Sequence, residues 1–263
     1  MIRDFLKKSL LGGMAVATAF FGPAALANHA WGTYHWARTS NPFTLAVGDN
    51  VSAAWDSYLA TTASDWSLSS VVDMAVVPGS AGKNCKPKAG RVEVCASKYG
   101  RNGWLGIASI WANGDHITQG TVKMNDTYYA TAAYNTPAWR NLVMCQEVGH
   151  TLGLDHQDED FSNPNLGTCM DYTSSPETNQ HPNLHDYEML ETIYAHLDAT
   201  TTVGSLAAAT SPDLDAEDPA NWGKEIRRSA DGRASLYEND LGGGRKLFTH
   251  VFWADPAGRG HQE

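Results

Sequence analysis

One stretch restricts this chain more than any other: Cys145-Gln146-Glu147-Val148-Gly149-His150-Thr151-Leu152-Gly153-Leu154-Asp155-His156. On a helix, Gln146 and His150 stand at i and i+4 and project from one face, with Glu147 flanking that face. Gly153 can take the left-handed conformation that ends a helix, and three residues later the returning chain can bring His156 to the same point. Polar tips that converge in this way suit a metal ion.

With histidine at its first position the stretch would read H-E-x-x-H-x-x-G-x-x-H, the long zinc signature that also requires a methionine turn downstream. Cys169-Met170-Asp171-Tyr172 supplies that turn a short loop later. The chain therefore resembles the metzincin zinc metallopeptidases, with Tyr172 two residues after the methionine as in the astacin-like and serralysin-like branches. It departs from them at Gln146. A glutamine side chain reaches about as far as the distal nitrogen of histidine, so its carbonyl oxygen could fill the ligand position. A neutral amide is nevertheless a poorer donor to zinc than imidazole, thiolate or carboxylate.

Carried onto these positions, the resemblance implies His150 and His156 as zinc ligands, Gln146 as an atypical third, and Glu147 as the base that activates a metal-bound water. It implies Tyr172 as a ligand or an oxyanion donor, the alternative being ordinary core packing, and Met170 as packing beneath the ion. The implied fold is α+β: a twisted, mostly parallel sheet with an antiparallel edge strand, packed on the active-site helix, with a lower Met-turn subdomain and a closing helix. The implied function is a secreted zinc-dependent endopeptidase. The runner-up is a weak or inactive member that binds peptides or proteins in its cleft, and a third reading is a hydrolase of another amide, such as a peptidoglycan stem peptide.

Residues 1–27 read as a secretory leader, with Arg3, Lys7 and Lys8 ahead of an apolar run and Ala25-Leu26-Ala27 as the cleavage site. The formal charge is −10, and removing the leader's net +2 (Arg3, Lys7, Lys8 against Asp4) leaves −12. An acidic chain of this kind is a poor partner for nucleic acid or anionic membranes. The expected partner is a protein or peptide substrate, and the expected state is an extracytoplasmic monomer.

Four cysteines in an exported chain suggest two disulfides, for which sequence alone allows three connectivities. The turn-rich excursion from Asn84 to Gly90 favours Cys85 with Cys95. Cys145 and Cys169 would then pair, and in the metzincin arrangement that bridge would brace the Met-turn beneath the metal-bearing helix. The competing reading makes these cysteines metal ligands, but they lack C-x-x-C spacing.

Along the chain, Thr33 to Arg38, Phe43 to Val47, Ser70 to Val77, Trp104 to Trp111 and Thr121 to Asn125 read as strands. Val51 to Ala63 reads as a helix. Trp31, Tyr34 and Trp36 could form a sugar-binding stripe, but aromatic residues in strands more often belong to the core. The strand from Trp104 resembles the metzincin edge strand, which receives substrate by antiparallel addition.

Thr136-Pro137 starts a helix that runs to about Leu152. Asp158, Glu159 and Asp160 could bind calcium, although a solvated turn is the plainer reading. His181 or His185 could replace the missing ligand, yet both stand at the start of the helical stretch His181 to Leu197 and read as cap or surface residues. The expected organisation is a metallopeptidase domain over 28–198, a linker over 199–220 and a small C-terminal β extension over 221–263, whose role the sequence does not disclose.

Overall fold

A computed structural model describes residues 28–80, 82, 84–205, 214 and 216–254. The leader expected over 1–27 lies outside the described residues. The fold is α+β. Its strands are β1 (His35–Trp36), β2 (Phe43–Asn50), β3 (Val72–Pro78), β4 (Val92–Ser97), β5 (Trp104–Asn113), β6 (His116–Asn125), β7 (Lys224–Arg228), β8 (Ala234–Gly242) and β9 (Arg245–Trp253). Its helices are α1 (Asp56–Trp66), α2 (Asp126–Tyr129), α3 (Pro137–His150) and α4 (Leu184–Ile193).

The strands form one sheet in the order β3-β2-β4-β6-β5-β9-β8-β7, with β1 paired to β6. The half built from β3, β2, β4 and β6 is parallel, and every pair from β6 through β5, β9 and β8 to β7 is antiparallel. The expected mostly parallel sheet thus describes one half. β5 was expected at the edge, but β9 pairs with it along its length, with Gly106 opposite Phe252 and Ala108 opposite His250. The segment expected as a small C-terminal β extension supplies β7, β8 and β9 of this sheet.

Burial on two faces explains why β5 is apolar throughout. One face carries the main core, shared with Leu142, Val143 and Val148 of α3 and with Trp66 of α1. The other is covered by Trp222, which packs with Trp104, Ile107 and Val251. A strand buried on both sides reads as a continuous hydrophobic run and not as an alternation.

Trp31 and Trp36 are core residues, as expected, and they also hold the end of α3. Their indole nitrogens donate to the carbonyls of His150 (3.2 Å) and Thr151 (2.8 Å), acceptors that the helix leaves without internal partners. Helix α1 starts later than expected, at Asp56, because Trp55 occupies the cap and turns its ring inward, where its Nε1 donates to Asp126 at 2.7 Å. Helix α4 stops at Ile193 and not at Leu197, and the buried Arg38 guanidinium takes the freed Tyr194 carbonyl at 2.7 Å. At its other end, Asn183 and Asp186 form a capping box.

Candidate active site

Thr136 opens α3 by accepting from the Trp139 amide at 3.3 Å, and Pro137 sits in the first turn, where no amide donor is needed. The helix ends at His150, and in the turn that follows Gly153 adopts φ +92°. A Cβ there would stand 2.3 Å from the Tyr34 carbonyl oxygen, so the return of the chain depends on that residue having none. Beyond the turn the Asp155 amide bonds to the His29 carbonyl and the Gln157 amide to the Met170 carbonyl, which fixes His156 between them.

The methionine turn lies directly under the helix. Gly149 faces it so closely that a Cβ would meet Met170 Sδ at 2.6 Å. The disulfide Cys145–Cys169 joins helix to turn, and Cys85–Cys95 closes the second expected bridge. Thr168 Oγ1 accepts from the Met170 amide at 3.0 Å and donates to Asp186 of α4, tying the turn to the closing helix.

Above the turn the imidazoles gather. The His150 and His156 rings lie 4.5 Å apart, nearly perpendicular, and the Tyr172 ring stands 3.9 Å from that of His156. His150 Nδ1 is 2.9 Å from the Leu154 carbonyl oxygen. A carbonyl only accepts, so Nδ1 carries the hydrogen and Nε2 of the neutral ring presents its lone pair. Glu147 Oε2, His150 Nε2 and His156 Nε2 are all buried without a hydrogen-bond partner among the described residues. Each of the three is an acceptor that costs free energy in a dry interior unless something positive meets it, and the two imidazoles, with ring centroids 4.5 Å apart, are the pair nearest to sharing a cation.

The first expected ligand behaves differently. Gln146 Nε2 donates to the Cys169 carbonyl at 2.8 Å, so this amide fastens the helix to the methionine turn. A third imidazole stands nearby on β9. His250 stacks on His150 with ring centroids 3.9 Å apart and planes 13° from parallel, and both its ring nitrogens are buried and unpartnered among the described residues. Sequence reasoning missed it. The available signal was a lone histidine inside the apolar run Leu247 to Trp253. Arg227 of β7 was missed as well; its Nη1 meets Asp155 Oδ2 at 2.6 Å and its Nε meets Glu159 at 3.0 Å, pinning the C-terminal strands over the site.

The burial of these groups sets their charge. Desolvation pushes the Glu147 carboxyl well above its usual range, against a weaker downward pull from the Ala108 backbone. Desolvation, then the neighbouring His250 and His156, hold His150 well below the ordinary imidazole value, and burial brings His250 down to about 3. These histidines are therefore neutral near pH 7, the form in which imidazole binds metal. Burial also raises the Tyr172 phenol well above its usual value, so it stays a donor.

The other sequence candidates lie elsewhere. His181 Nδ1 meets Asp65 at 2.7 Å, and His185 packs on His29. Asp158 and Asp160 accept from backbone amides two residues on, as in a solvated turn, while Glu159 faces Arg227. Because β9 fills the free side of β5, substrate cannot add there while the C-terminal strands remain in place.

No protein-family model matches the chain, and no curated protein matches it. Among solved structures, the chain is similar to myroilysin, at 13% identity and a TM-score of 0.36 over 60% of this chain and 96% of that one. It is also similar to high choriolytic enzyme 1, a hatching-enzyme zinc protease of the medaka fish Oryzias latipes, at 9% identity and a TM-score of 0.34 over 61% of this chain and 94% of that one.

Proposed function

We infer that this chain is a zinc-dependent endopeptidase of metzincin type, exported to an extracytoplasmic space, with protein or peptide as substrate. The observation that carries the reading is the pair of His150 and His156 rings 4.5 Å apart, with their Nε2 atoms and Glu147 Oε2 each buried and without a hydrogen-bond partner among the described residues. His150 and His156 would hold the ion. His250 offers a third imidazole in place of Gln146, and its ring would have to turn out of the stack on His150 to join them. Bound there, zinc polarises a carbonyl and makes water a nucleophile near neutral pH.

Glu147 takes a proton at its carboxylate and returns it to the leaving amine; a cation beside it offsets the burial that otherwise keeps it protonated. Tyr172, kept protonated by burial, donates to the oxyanion that develops on the scissile carbonyl. Met170 supports the floor without entering the chemistry, and Gln146 positions α3 against the turn.

A second reading, a non-catalytic member that binds peptides, is favoured by one observation: β9 occupies the β5 edge on which substrate would align, and Glu147 and His150 lie buried beneath it. Measuring zinc in the purified mature protein, then proteolysis by wild type and Glu147→Gln, separates the two. Zinc together with Glu147-dependent cleavage supports the peptidase. Peptide binding without cleavage by the zinc-loaded chain supports the binder, and a chain that takes up no metal at His150 and His156 defeats the zinc reading.

A further inference from the structure

Away from the active site, three histidines from distant parts of the chain meet one carboxylate oxygen. His35 lies on β1, His116 opens β6, and His196 and Asp198 follow α4. Asp198 Oδ1 stands 3.2 Å from His116 Nε2, 3.5 Å from His35 Nε2 and 3.6 Å from His196 Nε2. His35 Nε2 and His196 Nε2 are 3.2 Å apart. In a tetrahedral zinc site with bonds of about 2.0–2.2 Å, neighbouring donor atoms are separated by about 3.3–3.6 Å. Two of the four separations fall in that range and the other two, at 3.2 Å, lie just below it.

Hydrogen accounting points the same way. His35 Nδ1 lies 2.7 Å from the Thr33 carbonyl oxygen, which can only accept, so Nδ1 holds the hydrogen and neutral His35 presents a bare Nε2. That lone pair faces the Asp198 carboxylate and the nitrogen of His196. In that form the lone pair and the carboxylate repel, and a metal cation between them would relieve this. The surroundings also resemble the support given to a metal ligand. The Thr33 carbonyl fixes the His35 ring, while Asp198 Oδ2 takes the Arg38 amide at 3.1 Å and its guanidinium at 2.9 Å, leaving Oδ1 for the histidines. The His35 and Asp198 side chains are 6% and 9% exposed, whereas His116 and His196 are 39% and 56% exposed, so an ion can enter from solvent.

We propose that His35, His196 and Asp198 form a second divalent-metal site that takes zinc and fastens the segment after α4 to β1, with His116 of β6 bonding to the Asp198 carboxylate and orienting it. Imidazoles with one carboxylate select zinc over calcium, which prefers six to eight oxygens. The site is independent of the proposed peptidase centre and clips together residues 163 apart in sequence, His35 and Asp198. Its role is to hold the closing helix and, through Asp186 and Thr168, the methionine turn.

The test uses the full mature chain, zinc, and equilibrium competition with a chelator, read as zinc bound per chain and as thermal midpoint. Wild type should bind two zinc ions. His150→Ala should retain one, His196→Ala should retain one, and the double variant should bind none. In the His150→Ala background, zinc should still raise the melting temperature, and His116→Ala should weaken the remaining site roughly 10-fold or more. His196 is the first variant because its exposed ring can be removed with little effect on packing.

One zinc per chain, lost in His150→Ala and unaffected by His196→Ala, would overturn this site and leave the peptidase reading standing. One zinc, lost in His196→Ala and kept in His150→Ala, would support this site and remove the peptidase reading. Wild type that binds no zinc overturns both.

Discussion

Gly149 is the point at which helix α3 and the methionine turn come closest, and Gly149→Ala tests how firmly that contact sets the floor of the site. In an open helix interior the change would gain about 1 kcal/mol, because alanine restricts the unfolded chain and favours the helix. Here the added methyl would lie 2.6 Å from Met170 Sδ and 2.7 Å from Trp66 Cζ2, about 1 Å inside ordinary contact on two sides. Met170 can turn. Trp66 cannot easily move, since its ring is buried and its Nε1 is bonded to the Cys145 carbonyl at 3.1 Å, one turn back on the same helix.

Overpacking of this kind costs about 1–3 kcal/mol. With one neighbour fixed the upper half of that range applies, and subtracting the helical gain leaves a net loss of about 1–2 kcal/mol. For a chain of this size that lowers the melting temperature by about 2–8 °C. Urea unfolding followed by tryptophan fluorescence should show a lower midpoint with an unchanged slope. In a Met170→Ala background, where the methyl has space to enter, the same substitution should cost markedly less, giving a coupling between the two positions. A Gly149→Ala midpoint at or above wild type, or strict additivity with Met170→Ala, would refute the claim that the turn is pressed against the helix.

Three further outcomes are expected. His250→Gln should weaken zinc binding at the His150 centre by roughly 100-fold or more, while Gln146→His should leave it near wild type unless His250 is absent; a tight His250→Gln complex would count against the third imidazole. Removing Cys145–Cys169, which closes a 24-residue separation, should cost about 3.5 kcal/mol and reduce proteolysis, whereas removing Cys85–Cys95, at separation 10, should cost about 2.8 kcal/mol and spare it, read by denaturation and by turnover. Burial, then Asp65 and Asp186, raise the Tyr187 phenol to about 12 from 10.0. A raised folded-state value means that its contribution to stability is complete below pH 10 and fades as pH climbs toward 12, so the midpoint of Tyr187→Phe should fall less steeply over that interval than that of wild type.

Much of the site could be read from spacing because it is local. Gln146, Glu147 and His150 share one helix face, Gly153 ends that helix, and His156 returns within three residues, so 3.6-residue periodicity and one glycine place them without reference to the rest of the fold. The disulfide beside Met170 was expected from the remaining cysteine pair and from the resemblance to metzincins, not from local spacing. Other features concern partners far apart in the chain. His250 stands over His150 only because β9 pairs with β5, and an apolar strand gives no sign of which edge it will join. The expectation that β5 is a free edge was lost for that reason: periodicity tells which faces of a strand are buried, not what its backbone bonds to.

By itself, the sequence determined the helix, its turn and a pair of imidazoles with a carboxylate beside them, since those depend on residues within about a dozen positions. Only the tertiary structure decided that the Gln146 amide bonds to the Cys169 carbonyl, that the C-terminal strands close over the cleft, and that His35, His116, His196 and Asp198 meet. Those outcomes are set by hydrogen-bonded edges and side-chain packing between segments up to 163 residues apart, and no local pattern records them.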